Sequence, residues 1–102
     1  MARYLDARGL RWCHVPNGGN RSAKTGALLK AMGVKAGVPD ILIFSRIGVW
    51  RGVAIELKSS GGIVRDTQRE WLDGLEADGW VCRVCYGAAE AIAWVEELIA
   101  SG

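Results

Sequence analysis

A chain of 102 residues has room for one domain that buries roughly two-thirds of its unfolded surface, so residues 1–102 are expected to fold as a single unit. Half of the residues are hydrophobic and the mean hydropathy is +0.11, yet no apolar run approaches the roughly 20 residues of a membrane helix, and Met1-Ala2-Arg3-Tyr4 lacks a secretory apolar segment, so the chain reads as cytoplasmic. Thirteen Lys and Arg against eleven Asp and Glu leave a formal charge of +2, which suits a nucleic-acid partner without demanding one.

In chain order, residues 4–8 read as the end of a short helix stopped by Gly9. Residues 10–15 read as a strand ended by Pro16 and the Asn17-Gly18-Gly19 turn. Ser22 is placed to cap a helix containing Ala27, Leu28, Ala31 and Met32, with Gly33 as its stop. Residues 40–44 and 53–58 are strands, and residues 45–52 connect them. Gly61-Gly62 breaks the chain, and a helix runs from Asp66 or Thr67 to Asp78. A strand over 80–86 follows, and Ile92, Val95 and Ile99, widened by Trp94 and Leu98, mark a last amphipathic helix. The alternation predicts an α/β domain with a mixed sheet.

Three Cys give no closed set of disulfides and fit a reducing compartment. Cys82 and Cys85 have metal-binding spacing, and Cys13-His14 would notionally complete a zinc set. In a strand, however, residues three apart point to opposite faces, so buried structural thiols are expected. His14 is read as a strand residue. Five Trp are many for one small core, which points to a subunit interface, with Trp50 and Trp94 as its candidates and a place in the core as the alternative for either.

Chemistry concentrates in the two central strands. Alternation over residues 53–58 turns Glu56 and Lys58 to one face and Val53, Ile55 and Leu57 to the other, and the 45–52 connection brings Asp40 beside Glu56. Two carboxylates brought to about 4 Å repel by roughly 4 kcal/mol at an effective dielectric of about 20, so such a pair holds a proton or recruits a cation. Oxygen ligands, with no His or Cys beside either acid, suit Mg²⁺ or Mn²⁺. Lys58 on the same face is a candidate to orient or deprotonate a water and to neutralise developing charge. The competing reading is a half-solvated strand with alternating charges. In the following helix Gln68, Trp71, Leu72 and Leu75 share a stripe, so the polar Gln68 either sits at its wet edge or reaches the water or a phosphate.

Gly33-Val34-Lys35-Ala36-Gly37-Val38-Pro39-Asp40, then Ile55-Glu56-Leu57-Lys58, then Gln68 with Trp71, then Gly79, together with Pro16-Asn17-Gly18-Gly19 and Arg21, resemble the VRR-NUC family of the PD-(D/E)xK nuclease superfamily over nearly the whole chain. The resemblance implies a PD-(D/E)xK restriction-endonuclease-like core, with a mixed central sheet flanked by helices. It also implies Asp40 and Glu56 as metal ligands, the Leu57 carbonyl as a backbone ligand, Lys58 as the catalytic lysine and Gln68 as a member of the site. Two features depart from the family pattern. The first helix is short and Asp6 is no convincing equivalent of the family's helix Glu. Arg65 stands where a Ser or Thr cap is usual, so that either Asp66 caps instead or Arg65 contacts DNA.

Backbone N–H groups of Asn17, Gly18 and Gly19, with Arg21, Lys24, Lys30, Lys35 and Arg65, are the expected nucleic-acid contacts, made to phosphates rather than bases. The function so implied is a divalent-metal-dependent, structure-specific DNA endonuclease in the cytoplasm of a bacterial or phage-infected cell. It is expected to work as a homodimer on four-way junctions. A nuclease for flaps or other branched DNA, or a DNA-binding module that keeps the fold with weak catalysis, are the alternatives.

Overall fold

A computed structural model describes residues 1–16 and 22–102. The element order is α1 (Ala2–Ala7), β1 (Trp12–His14), α2 (Ala23–Ala31), β2 (Ile41–Ile43), β3 (Val53–Lys58), α3 (Asp66–Ala77), β4 (Val81–Tyr86) and α4 (Ala88–Ser101). The strands form one sheet in the order β1-β2-β3-β4. The first two pairings are antiparallel and β3–β4 is parallel, because α3 carries the chain back across the sheet between β3 and β4, as a parallel pair requires. The mixed α/β sheet expected from the alternation of elements is the one observed.

The two faces of the sheet have different uses. On one, Ile41, Ile43, Val53, Ile55 and Cys85 pack with Leu5 of α1 and with Ala91, Trp94 and Val95 of α4 into the main core. On the other lie Ala54 and Glu56, both buried, beneath α3, whose Leu72 is its buried anchor. Strand alternation makes this division, since odd positions of β3 enter the core and even positions meet α3. The same rule separates buried Cys85 from half-buried Cys82, so the two thiols cannot share a metal. Burial lifts the Cys82 thiol to about 12 and also raises that of Cys85, which leaves both as inert thiols.

Two expectations change. Trp94 is a core residue at 8% exposure, with the Arg83 guanidinium 5.9 Å above its ring, and it is unavailable to an interface. Trp50, at 37%, is not. The 45–52 connection is more than a turn, because Ile47 plugs into the core and bridges back to Trp50. Ser22 caps α2 as predicted, accepting from the Thr25 N–H at 3.1 Å. That helix buries none of its side chains, however, and Leu28 and Met32 are 60% and 72% exposed.

Candidate active site

Glu56 and Lys58 lie on the α3 side of β3. Continuing the register Ile41↔Ile55 by one position sets Asp40 opposite Glu56, and cross-strand neighbours share a face. The start of β2 is held there by its backbone. The Asp40 carbonyl accepts from the Val15 N–H at 2.8 Å and from His14 Nδ1 at 3.0 Å, which fixes the proton on Nδ1, since a carbonyl only accepts. A histidine therefore does stand beside one acid, contrary to expectation, but it grips the main chain. Asp40 Oδ2 accepts from the Leu57 N–H at 2.7 Å, which ties the two strands together at the site.

Gly37 makes this approach possible. Its φ is +87°, and a Cβ there would fall 2.7 Å from the Thr67 carbonyl carbon and oxygen. Only a glycine lets the segment before Asp40 press against the first turn of α3.

That first turn supplies Gln68, whose amide joins the charged groups. Gln68 Nε2 donates to Glu56 Oε1 at 2.7 Å. Gln68 Oε1 accepts from Lys58 Nζ at 2.8 Å and from the Arg65 N–H at 2.9 Å. The last bond caps the helix from within, with Arg65 as its N-cap. Asp66 is the first helical residue rather than the cap, and no Ser or Thr is needed because Gln68 reaches back to the cap residue's own N–H. Lys58 Nζ stands 3.6 Å from Glu56 Oε1, farther than from the amide. Gln68 is half-buried, and both ends of its side chain are engaged, so its amide is tied to Glu56, Lys58 and the helix start rather than free at the edge of the stripe.

Glu56 is 2% exposed, and among the described residues its Oε2 is buried with no hydrogen-bond partner. Burial first, and then the neighbouring Asp40 carboxylate, push its carboxyl above the ordinary range, while Lys58 and, least of all, the Asp40 backbone pull the other way. A buried carboxylate oxygen left unpaired beside a second acid is costly unless a proton or a cation occupies the gap. Pro39 leaves a third oxygen open, the carbonyl of Leu57. Continuing the register sets Pro39 opposite Leu57. The Leu57 N–H points toward β2, so its carbonyl points that way too, and Pro39 has no N–H to give it. Three oxygens with unused capacity fit a hard divalent cation.

Parallel pairing contributes a residue that the sequence pattern did not flag. Tyr86 is the register partner of Lys58, as Val84 is of Glu56, and is 47% exposed, so the two residues stand side by side on the site face of the sheet. Its parity in β4 was readable, but its neighbour was not. Asp6 stays apart, accepting from Trp12 Nε1 at 2.8 Å and so fastening α1 to β1. Lys24, Lys30, Lys35 and Arg65 are exposed. Asn17, Gly18, Gly19 and Arg21 lie outside the described residues.

Residues 2–89 match the family model of the VRR-NUC domain. The chain belongs to the VRR-NUC family. A solved structure of a VRR_NUC domain protein is similar with a TM-score of 0.76 and 30% sequence identity, over 89% of this chain and 69% of that chain. No curated protein matches the sequence significantly. Membership makes this a nuclease domain of the PD-(D/E)xK type with DNA as its substrate class, and VRR-NUC nucleases generally depend on divalent metal. Among the described residues no helix is long and apolar enough to cross a membrane.

Proposed function

We propose that this VRR-NUC domain is a metal-dependent endodeoxyribonuclease that hydrolyses phosphodiesters in branched DNA, four-way junctions foremost. The observation that carries the reading is the unpartnered, buried Glu56 Oε2, opposed to Asp40 and linked through Gln68 to Lys58. Asp40, Glu56 and the Leu57 carbonyl would hold Mg²⁺ or Mn²⁺. Bound there, the ion supplies Lewis acidity toward a phosphoryl oxygen and lowers the pKa of a coordinated water.

The chain's own groups supply the rest. Gln68 Nε2 occupies Glu56 Oε1 and leaves Oε2 without a partner among the described residues, on the sheet face that also carries Asp40. Gln68 Oε1 holds Lys58 Nζ in place, where its remaining N–H donors can meet the charge that develops on the phosphate or take up and return a proton. Asp40 is prevented from swinging away by the Leu57 N–H. Lys24, Lys30, Lys35 and Arg65, with Arg21 and the Asn17-Gly18-Gly19 backbone, are the proposed phosphate contacts, so affinity should fall steeply with salt.

Paired incision of a junction needs two sites in fixed relation, which a twofold homodimer supplies. Exposed Leu28, Met32 and Trp50 are apolar surface available to it. The test is cleavage of junction, flap and linear duplex at equal concentration with Mg²⁺ or Mn²⁺, beside mass measurement in dilute solution. Junction cleavage by a dimer supports the reading, and preference for flaps favours the flap nuclease. Tight binding without turnover by a folded, metal-loaded protein would reduce it to a binding module.

A further inference from the structure

The geometry points to a stacking platform for an unpaired nucleobase, formed by Phe44 and flanked by Arg11, on the same sheet face as the carboxylates. This inference rests on the reading of the chain as a nuclease for branched DNA. Continuing the β1–β2 register Trp12↔Ile43 sets Arg11 opposite Phe44, and the Phe44 N–H donates to the Arg11 carbonyl at 2.7 Å. Continuing the next two registers sets Gly52 beside Phe44 and Trp80 beside Gly52, so Arg11, Phe44, Gly52 and Trp80 form one row across all four strands.

The missing side chain at position 52 makes the row an aromatic one. A Cβ on Gly52 would fall 2.5 Å from the Trp80 ring. Trp80 therefore lies over the glycine and meets Phe44 edge to face, with centroids 6.0 Å apart at 86°. A T-shaped contact pins one edge of the pair and leaves a ring face free. Phe44 remains 48% exposed, an unusual state for a phenylalanine braced by its neighbours rather than loose on a loop.

Position and charge select the occupant. Phe44, just past β2, is four residues from Asp40, just before it, about 13 Å at roughly 3.3 Å per residue, on the face that carries Glu56 and Lys58. That distance is about four base steps of stacked strand at 3.4 Å each, and fewer if the strand is stretched. Arg11 is exposed and stands opposite Phe44, whereas Arg46 lines a cleft with Arg8 and Ile99 and Arg51 lies against Gly79. Glu76 lines a cleft together with Trp50 and Trp80. A cation thus stands beside Phe44 and offers a phosphate backbone its counter-charge there. Paired bases inside a duplex show no free ring face, whereas an unpaired base beside a branch point does. The platform would therefore favour branched DNA that exposes an unpaired base, a flap above all, over continuous duplex and fully paired junctions, through base-independent stacking.

The test places 2-aminopurine singly at each of the first four unpaired positions of a flap DNA and titrates metal-free protein in EDTA. Wild type should quench the probe at one or two adjacent positions. Phe44→Ala should abolish the quench and weaken flap binding about tenfold, with blunt-duplex binding unchanged. Phe44→Trp should preserve both signals, and Arg11→Ala should lower the salt dependence by about one phosphate contact. If the melting temperature of Phe44→Ala shows unfolding, Phe44→Leu, which keeps apolar packing without a ring, decides the matter by the same readout. A wild type that binds the flap without quenching, or equal losses on flap and duplex, overturns the platform. Cleavage with Mg²⁺ is run beside these titrations. Quenching without any cleavage leaves the platform standing and sinks the nuclease reading, and cleavage without quenching does the reverse.

Discussion

Replacing Glu56 with Gln should destroy cleavage while making the metal-free protein more stable. The substitution keeps shape and retains an Oε1 acceptor for Gln68 Nε2. It replaces Oε2, which has no partner among the described residues, with an amide donor on the face that carries Asp40. An orphaned buried acceptor costs about 1–3 kcal/mol. Against this stands the loss of the ion pair to Lys58 at 3.6 Å, which is already longer than the lysine's bond to Gln68. A net gain of about 1–2 kcal/mol is expected, or roughly 5–10 °C in melting temperature for a domain of this size.

The gain must depend on pH in a definite direction. The folded protein raises the Glu56 carboxyl above its ordinary value, so the penalty for ionising it is absent below the unfolded pKa and fully present once pH exceeds the raised folded value. Melts in EDTA at neutral pH should show the stabilisation, and melts at about pH 4 should show little of it. Adding Mg²⁺ or Mn²⁺ should then raise the wild-type melting temperature by mass action and leave Glu56→Gln almost unmoved. A variant destabilised at neutral pH in EDTA would refute the reasoning, because the site would then be a satisfied ion pair with no demand for a cation.

Three further outcomes follow from the same geometry. Lys58→Ala should abolish cleavage yet retain Mn²⁺ binding by calorimetry, since the lysine touches Gln68 and not the orphaned oxygen; loss of metal binding would contradict that division of roles. Gln68→Ala should lower the single-turnover rate by about a hundredfold with DNA affinity kept, and should also cost about 1 kcal/mol of stability because the Arg65 N–H loses its acceptor; a stability loss with unchanged turnover would make the residue a cap only. Gly37→Ala should destabilise the fold by about 2–4 kcal/mol, from a left-handed backbone plus overpacking against Thr67, and should impair cleavage by displacing Asp40. Denaturant melts beside rate measurements test it.

Much of this protein was legible because its signals are local. Parity along β3 put Glu56 and Lys58 together without knowledge of any neighbour, since successive strand residues must alternate. The Ser22 cap, the α3 stripe and the separation of Cys82 from Cys85 rest on equally short-range geometry. Gln68 stood out as a polar residue on an apolar stripe, and its ambiguity was of the kind that only a partner resolves. Tertiary structure supplied that partner on both sides, Glu56 and Lys58, and showed the same side chain capping its own helix in place of a Ser or Thr at position 65. Burial of Trp94, the hold of His14 on the Asp40 carbonyl, the attachment of Asp6 to Trp12, the neighbourhood of Tyr86 and Lys58, and the row from Arg11 to Trp80 were likewise decided in three dimensions. The physical reason is common to them. Periodicity fixes which way a side chain points, but what it meets depends on strand order and register, and these are set by crossovers and by packing between segments far apart in the chain.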